Sequence, residues 1–283
     1  MITPLTVETL RSMPLPVAEG DKDDRGQVLV LGGSRRVPGA AWLAGVAALR
    51  TGAGKLQVAT AAEVAVPLGV ALPEAMMLGL PADGAGECSR GSRDLYKACQ
   101  QADAVLAGPG MMASTSVHGL VRRLYQRCRR VLVLDAGALI PDFGAEGDAE
   151  VVLTPHAGEM ATLAGIAREE VERRPAEIAH DYAARVRCVV VLKGATTYIA
   201  SPWGELWVHE GGCTGLGTSG SGDVLAGILV GLAARGATAR QAALWAVVVH
   251  ALAGDRLTIA YGPVGFLARE ITAEIPGILR RLA

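Results

Sequence analysis

The sequence has few aromatic residues and almost no net charge. Aromatic side chains make up 4 % of the 283 residues, and 27 basic residues are balanced by 28 acidic ones, which gives a net charge of −1. Such a chain lacks the long-range attraction for phosphate backbones on which general nucleic-acid binding depends. Disorder is also excluded, because 51 % of the residues are hydrophobic and only 19 % are charged. We therefore expect a folded protein whose partner is a small molecule and not a nucleic acid.

The chain also lacks paired cysteines and long apolar runs. None of its five cysteines belongs to a C-x-x-C pair, and unpaired thiols at wide spacing are typical of a reducing compartment. The N-terminus has no apolar core after a basic start, and no later segment reaches eighteen uninterrupted apolar residues. We expect a cytoplasmic protein that neither carries an export signal nor associates with membranes.

Short apolar runs alternate with alanine-rich segments along most of the chain. The run QVLVL at 27–31 ends in two glycines and precedes a helical pattern, and several later runs end in Gly, Pro, Asp or His. This alternation predicts an α/β fold with a mostly parallel sheet, in which ligand groups lie at the carboxyl ends of the strands. Residues 196–209 are typical of a hairpin, and helices follow. We predict one domain over residues 1–283, with residues 1–26 as an extended N-terminal arm.

A glycine-rich loop, GTSGSGDVLAG at 217–227, precedes one of these helical runs. The overlapping GLGTSG at 215–220 matches G-x-G-x-x-G, but the dinucleotide fingerprint belongs in a first βαβ unit with an acidic residue about twenty positions later. A phosphate loop of the Walker type is also excluded, because Asp223 and Val224 stand where its lysine would be. What remains is a set of backbone N–H groups that can bind an anion at a helix N-terminus.

Asp223 is unexpected in such a loop, since a carboxylate repels a phosphate. Phosphoryl transfer to an alcohol gives a reason for it: the transfer needs a base beside the attacking hydroxyl while backbone amides hold the phosphoryl group. The alternative is an ordinary helix N-cap, a role that aspartate favours. The motif alone leaves these two interpretations open.

Two other strand ends carry polar residues, each with a simpler explanation. Lys193, in VVVLKGATTYI, could support phosphate oxygens, although a K-G-x-T sequence also occurs in surface hairpins. His156 and Glu159 could contact a substrate and, through water, a Mg²⁺ ion, or could simply form a turn and a helix cap. A zinc site is not supported, because no H-E-x-x-H motif or cysteine pair accompanies them.

Together these motifs resemble the ribokinase-like superfamily, a group of three-layer αβα sandwiches with a mostly parallel central sheet. The order GGS…PGA, GPGM, LDAGAL, LTPHAGEM, LKGATT and GSGDVLAG is more closely similar to the ADP/ATP-dependent NAD(P)H-hydrate dehydratases, which repair hydrated nicotinamide dinucleotides. Sugar and vitamin kinases of the superfamily share the G-x-G-D element but typically carry asparagine where this chain has His156. In the dehydratases an asparagine usually stands where this chain has Cys213.

The resemblance implies specific roles for residues of this chain. Asp223 would be the general base, and the substrate-binding positions would be Ala40, Gly110, His156 and Asp223. The adenine-nucleotide positions would be Lys193, Gly194, Ala195, Thr196, Thr197 and Gly222. The same resemblance implies Mg²⁺ and ADP or ATP as the cofactor and co-substrate, with Glu159 as a possible metal residue through water.

The reaction implied is dehydration of the S epimer of NADH or NADPH hydrate, driven by ADP, with release of AMP and phosphate. The resemblance also implies a homotetramer and, because 283 residues leave no room for the second domain of fused relatives, a separate epimerase as functional partner. Two alternatives remain: a kinase of a vitamin-like or sugar alcohol, and a nucleotide-binding regulator without turnover. The residues do not distinguish ADP from ATP or NADH hydrate from NADPH hydrate.

Overall fold

Short strands form one sheet in the computed structural model, which describes residues 2–17, 19–141 and 147–282. The strands are β1 (Ile2–Pro4), β2 (Gln27–Leu31), β3 (Lys55–Ala61), β4 (Ala75–Leu80), β5 (Ala104–Ala107), β6 (Val131–Leu134), β7 (Glu150–Leu153), β8 (Val189–Leu192), β9 (Thr197–Ala200) and β10 (Leu206–His209). Their order across the sheet is β1-β10-β9-β8-β7-β6-β5-β2-β3-β4. Every neighbouring pair is parallel except the two pairs that involve β9.

Helices cover this sheet. They are α1 (Val7–Arg11), α2 (Gly39–Arg50), α3 (Ala62–Ala71), α4 (Arg93–Gln101), α5 (Thr115–Tyr125), α6 (Ala157–Ala164), α7 (Arg168–Arg173), α8 (Pro175–Val186), α9 (Ser221–Ala234), α10 (Ala239–Tyr261) and α11 (Ala268–Leu282). Helix α9 packs against β5 and β6, and α10 packs against β7 and β8. The architecture is the predicted αβα sandwich with a mostly parallel central sheet.

The strands form where apolar runs can be buried on both faces. Each residue of β5, β6 and β8 is buried, as parallel strands between two helical layers require. The predicted hairpin at 196–209 is confirmed as antiparallel β9 and β10. Strand β4 lies at the edge of the sheet and is only partly buried.

The N-terminal segment differs from a purely extended arm. Residues 2–4 add β1 to the sheet beside β10, and Val7–Arg11 form a short helix whose N-cap is Thr6. The Thr6 hydroxyl accepts the backbone N–H of Thr9, and the Thr9 hydroxyl accepts the backbone N–H of Thr6. This reciprocal cap fixes the start of the helix. The segment is therefore anchored to the sheet edge.

Helix α9 lies at the centre of one helical layer, and its position decides where the glycine-rich loop sits. A Cβ atom at Gly227 would lie 2.3 Å from the Ala44 carbonyl oxygen of α2, so only glycine permits the two backbones to pack this closely. Helix α10 is long and apolar enough to span a membrane, but 67 % of its most apolar stretch is buried inside the fold. Burial of this kind is what a core helix shows.

Candidate active site

The carboxyl ends of five strands meet at one edge of the sheet. Because β2, β5, β6, β7 and β8 are parallel neighbours, the polar residues that follow them come together there. Asp135 follows β6, His156 lies just beyond β7, and Lys193 follows β8. A bridge between His156 and Lys193 continues the β7–β8 pairing beyond the strands. The first turn of α9 points into the same region.

The start of α9 excludes the simple cap interpretation of Asp223. Gly220 is the N-cap residue, and no side chain of the described residues caps this helix. Gly220 has φ +90°, and a Cβ atom there would lie 2.5 Å from Leu43 Cδ1, so the turn requires glycine. Asp223 is the third residue of the helix, so its carboxylate does not serve as the helix cap.

Burial, together with the charge of Asp135, raises the pKa of Asp223 to about 7, although Lys193 opposes the increase. A carboxyl group with a pKa near neutrality can accept a proton in the reaction and lose it again to solvent. This property is what a general base at neutral pH needs. It follows from the environment of the side chain and not from aspartate itself.

Lys193 connects the acidic residues of the site. Its ammonium group lies 2.8 Å from Asp135 Oδ1 and 4.0 Å from Glu159 Oε2. Burial lowers the pKa of Lys193, but Asp135 and Glu159 more than offset that effect, so the pKa is raised overall. Lys193 is therefore charged. The Thr154 hydroxyl donates to the same Asp135 Oδ1 at 2.7 Å and so holds this carboxylate in place.

His156 and Glu159 form a reciprocal cap at the start of α6. The backbone N–H of His156 donates to Glu159 Oε2 at 2.8 Å, and the N–H of Glu159 donates to His156 Nδ1 at 3.2 Å. The cap interpretation of this pair is thus confirmed. It does not exclude a role in binding, because the same bonds orient the His156 ring, which lines a cleft beside Lys193.

This cleft has a volume of about 780 Å³ and opens above the glycine-rich loop. Lys193, Gly222 and Thr218 provide its cationic and N–H-bearing side, while Leu225 and Val247 lie on an apolar side. An apolar wall with a few convergent polar groups is typical of a small-molecule site. The combination suits an adenine nucleotide, whose base is flat and apolar and whose phosphates need a cation and amide donors.

The structure brings most of the predicted nucleotide residues to this cleft. Lys193, Gly194, Ala195, Thr197 and Gly222 line it, whereas Thr196 does not. The K-G-x-T sequence lies at the start of the hairpin, as the surface-hairpin interpretation predicts, and it also lines the cleft.

The predicted substrate residues divide into two groups. His156 lines the cleft, while Ala40, Gly110 and Asp223 lie outside it. A Cβ atom at Gly110 would lie 2.8 Å from Ala40 Cβ, so these two residues meet each other at the start of α2. The substrate positions are thus spread around the loop and not gathered in one wall.

Two further histidines, His209 and His250, also line the cleft. His250 lies on α10, and its Nε2 atom is 3.0 Å from the hydroxyl oxygen of Ser221 and 3.1 Å from its carbonyl oxygen. Burial lowers the pKa of His250 to about 4, so the ring is neutral. His209 ends β10, and its Nε2 atom is buried with no partner among the described residues. Neither carries a local sequence signal, because each reaches the site only through packing.

A divalent cation fits this site only with help from its substrates. No group of three or more His, Cys, Asp or Glu side chains converges on a metal position within the described residues. Lys193 nevertheless faces Asp135, Glu159 and Asp223, so carboxylates outnumber the cation before any phosphate enters. Mg²⁺ commonly uses one or two carboxylates, phosphate oxygens and several waters, and Glu159 could provide such a contact through water.

Residues 28–277 match the model of the family described as NAD(P)H-hydrate dehydratase. The chain belongs to the NAD(P)H-hydrate dehydratase family. Among its relatives, the ADP-dependent (S)-NAD(P)H-hydrate dehydratase of Xanthomonas campestris pv. campestris is 55 % identical over 278 residues, which cover 98 % of this chain and 96 % of the relative. The resemblance inferred from the motifs is therefore confirmed.

Two further proteins of the dehydratase family are similar to this chain, one in its solved structure and one in part of its sequence. The crystal structure of the ADP/ATP-dependent NAD(P)H-hydrate dehydratase of Bacillus subtilis, co-crystallized with ATP/Mg²⁺, has a TM-score of 0.87 and 31 % identity and covers 100 % of this chain and 99 % of that one. The bifunctional NAD(P)H-hydrate repair enzyme Nnr of Moorella thermoacetica is 37 % identical over 98 % of this chain, but the match covers only 54 % of that protein. The fold is ribokinase-like.

Proposed function

We propose that this protein dehydrates the S epimer of NADH or NADPH hydrate with ADP as phosphoryl donor, and so repairs a damaged cofactor. The observation that carries the proposal is a carboxyl group with a pKa near 7, Asp223, at the start of a helix whose preceding loop borders a nucleotide-sized cleft. Family membership makes a hydrated nicotinamide the substrate that fits this chemistry.

The substrate carries a hydroxyl group on its reduced ring, and hydroxide is a poor leaving group. Asp223 accepts the proton of that hydroxyl while the hydroxyl oxygen of the substrate attacks the terminal phosphorus of ADP. The P–O bond to AMP breaks, and AMP leaves with the electron pair. The new phosphate ester then leaves the ring as phosphate, and loss of a proton from the neighbouring ring carbon restores the double bond. The balance is hydrate plus ADP to reduced dinucleotide, AMP and phosphate.

Other residues of the chain bind and orient the reactants. Lys193 places a positive charge beside Gly222 and the first turn of α9: a Cβ atom at Gly222 would lie 3.5 Å from its ammonium nitrogen. The backbone N–H groups of that turn and the helix dipole favour the transferring phosphoryl group. Bound Mg²⁺ would offset phosphate charge, with Glu159 as its contact through water. His156, fixed by its cap bonds, would contact the substrate together with Ala40 and Gly110.

Several features of the cellular context follow from the same proposal. We infer one functional domain, which the pairing of β1 with β10 supports, and a cytoplasmic location, with which its free cysteines agree. The relatives named bifunctional extend well beyond the matched region, so we infer that an epimerase activity works with this chain. A homotetramer remains a proposal by resemblance to the family.

The direct test follows the absorbance of reduced nicotinamide after the protein is mixed with NADH hydrate, Mg²⁺ and either ADP or ATP. Recovery of NADH together with stoichiometric phosphate supports the dehydratase. A stable phosphorylated product would indicate a kinase of the same fold. Nucleotide binding without any turnover would indicate a regulator and would contradict the proposal.

A further inference from the structure

A groove of about 930 Å³, larger than the nucleotide cleft, lies between α2, α3 and the start of α11. Its floor is apolar and includes Trp42 and Leu43 of α2 and Val64 and Leu68 of α3. None of the roles assigned above uses these residues. A cavity of this size is at the upper end of those that bind small molecules.

The groove is continuous with the reaction centre. Thr218 lines both the groove and the nucleotide cleft, and Ser219 lines the groove alone. A Cβ atom at Gly220 would lie 2.5 Å from Leu43 Cδ1 and 3.9 Å from Asp223 Oδ2. The apolar floor of the groove thus begins across one glycine from the proposed base. A molecule held at Asp223 could extend directly into the groove.

Charged side chains lie along the same groove. Arg35 and Arg269 supply two guanidinium groups, and Glu63 supplies one carboxylate, so the local balance is positive. Arg35 Nη1 lies 3.5 Å from Glu63 Oε1, and its Nη2 donates to the Gly84 carbonyl at 3.0 Å, which holds its head in place. Guanidinium groups bind phosphates well because their donors match two oxygens at once.

Trp42 provides a fixed aromatic surface in the groove. Its indole N–H donates to the Ala71 carbonyl at 3.0 Å, which ties the ring to the end of α3. A flat ring of this kind can stack on a nucleobase. Aromatic, apolar and cationic groups in one groove are the chemistry that recognises a nucleotide.

We propose that this groove binds the adenosine-phosphate half of the dinucleotide substrate while Asp223 contacts the hydrated nicotinamide half. The inference rests on the proposed function and deepens it by assigning the remote half of the substrate. Its consequence is that contacts far from the reacting ring position that ring beside the base. A substrate without the adenylate half should therefore lose reactivity as well as affinity.

The test compares two substrates: hydrated NADH, and hydrated reduced nicotinamide mononucleotide, which lacks the adenylate half. In the wild type, kcat/KM for the dinucleotide should exceed that for the mononucleotide at least tenfold. Ala71→Trp, which fills the groove, should reduce this ratio about tenfold. Val66→Trp is the matched control, because Val66 lies on the same helix, is 76 % exposed and does not line the groove.

A second variant tests the groove even if Ala71→Trp fails to fold. Arg269 is exposed, so Arg269→Ala should fold normally and should also lower the ratio of dinucleotide to mononucleotide efficiency. The KM for ADP should stay unchanged in both variants, since the nucleotide cleft shares only Thr218 with the groove.

Failure of the inference and failure of the proposed function give different results. Turnover of neither hydrate by the wild type contradicts the proposed function itself. Turnover of both hydrates with equal efficiency, or equal losses on both substrates in the variants, overturns only the role of the groove. A lower molar mass of Ala71→Trp in sedimentation would instead make the groove a contact between copies of the chain, and that result also overturns the inference.

Discussion

Replacement of Asp223 by asparagine tests the proposed base in two independent ways. The amide has nearly the same shape as the carboxylate but cannot accept a proton, so turnover should fall by a factor of about 10²–10⁴. Binding of ADP should change little, because the cleft residues that hold the nucleotide remain in place. The same substitution also removes a charge that the folded protein disfavours.

The size of the stability effect follows from the pKa. A carboxyl group whose pKa rises from its usual 3.8 to about 7 costs the folded state roughly 4 kcal/mol once it is ionised, at about 1.4 kcal/mol for each tenfold change in the ionisation constant. Burial is the largest cause, and the negative charge of Asp135 adds to it. Asparagine carries no charge and escapes both effects.

The sign of the pH dependence is determined by which state binds more protons. Below about pH 4 Asp223 is protonated in both the folded and unfolded states, so it contributes no difference. Between pH 4 and pH 7 the unfolded chain releases the proton while the folded protein keeps it, so the fold loses stability as the pH rises. Above pH 7 the loss is complete. Asp223→Asn should therefore gain stability mainly at pH 8.

Urea denaturation of the wild type and of Asp223→Asn at pH 5 and pH 8 measures this difference. The free energy of unfolding should increase more at pH 8 than at pH 5, and the absorbance assay should show lost turnover with intact nucleotide binding. If Asp223→Asn is no more stable than the wild type at pH 8, the inference that ionised Asp223 destabilises the folded protein is wrong. A variant that keeps full turnover would refute the base.

Four other predictions test neighbouring parts of the site. For the wild type, a plot of log kcat/KM against pH should rise with slope one up to about pH 7 and then level off. In Lys193→Met the pH at which the plot levels off should be higher, because Lys193 lowers the pKa of Asp223. Gly220→Ala should cost at least about 1–2 kcal/mol of stability in a urea titration, since Gly220 has a positive φ that disfavours side chains; an unchanged midpoint would contradict the close packing against Leu43. His250→Phe should leave the Ser221 hydroxyl without its 3.0 Å partner and lower the free energy of unfolding by about 1–3 kcal/mol. It should also raise the KM for ADP and the Kd for ADP measured by calorimetry. An unchanged Kd would limit His250 to a structural role. Cys213 is the N-cap residue of the short helix Thr214–Leu216, which has no side-chain cap among the described residues. Cys213→Asn places an amide there and should tighten ADP binding. Weaker binding would show that the cysteine is preferred at this position.

Much of the fold could be predicted because burial leaves a clear pattern in the sequence. The runs at 104–107, 131–134 and 189–192 are uninterrupted apolar segments, and all three are buried strands of the parallel sheet. Because parallel strands end at one edge, Asp135, His156 and Lys193 could be expected together from their positions after such runs. The N-terminal helix was missed because a five-residue helix depends on its cap and on tertiary contacts more than on periodicity.

The sequence by itself determined the α/β class with its mostly parallel sheet and the anion-binding loop, because those depend on local patterns of apolar residues and glycine. It left Asp223 open between a base and a helix cap, and only the family resemblance favoured the base. Only the tertiary structure decided the pKa of Asp223, since burial and the charges of Asp135 and Lys193 act through space across distant parts of the chain. The same is true of His250, which reaches Ser221 from another helix. The groove between α2, α3 and α11 likewise exists only where those helices pack, so no single stretch of sequence could have indicated it.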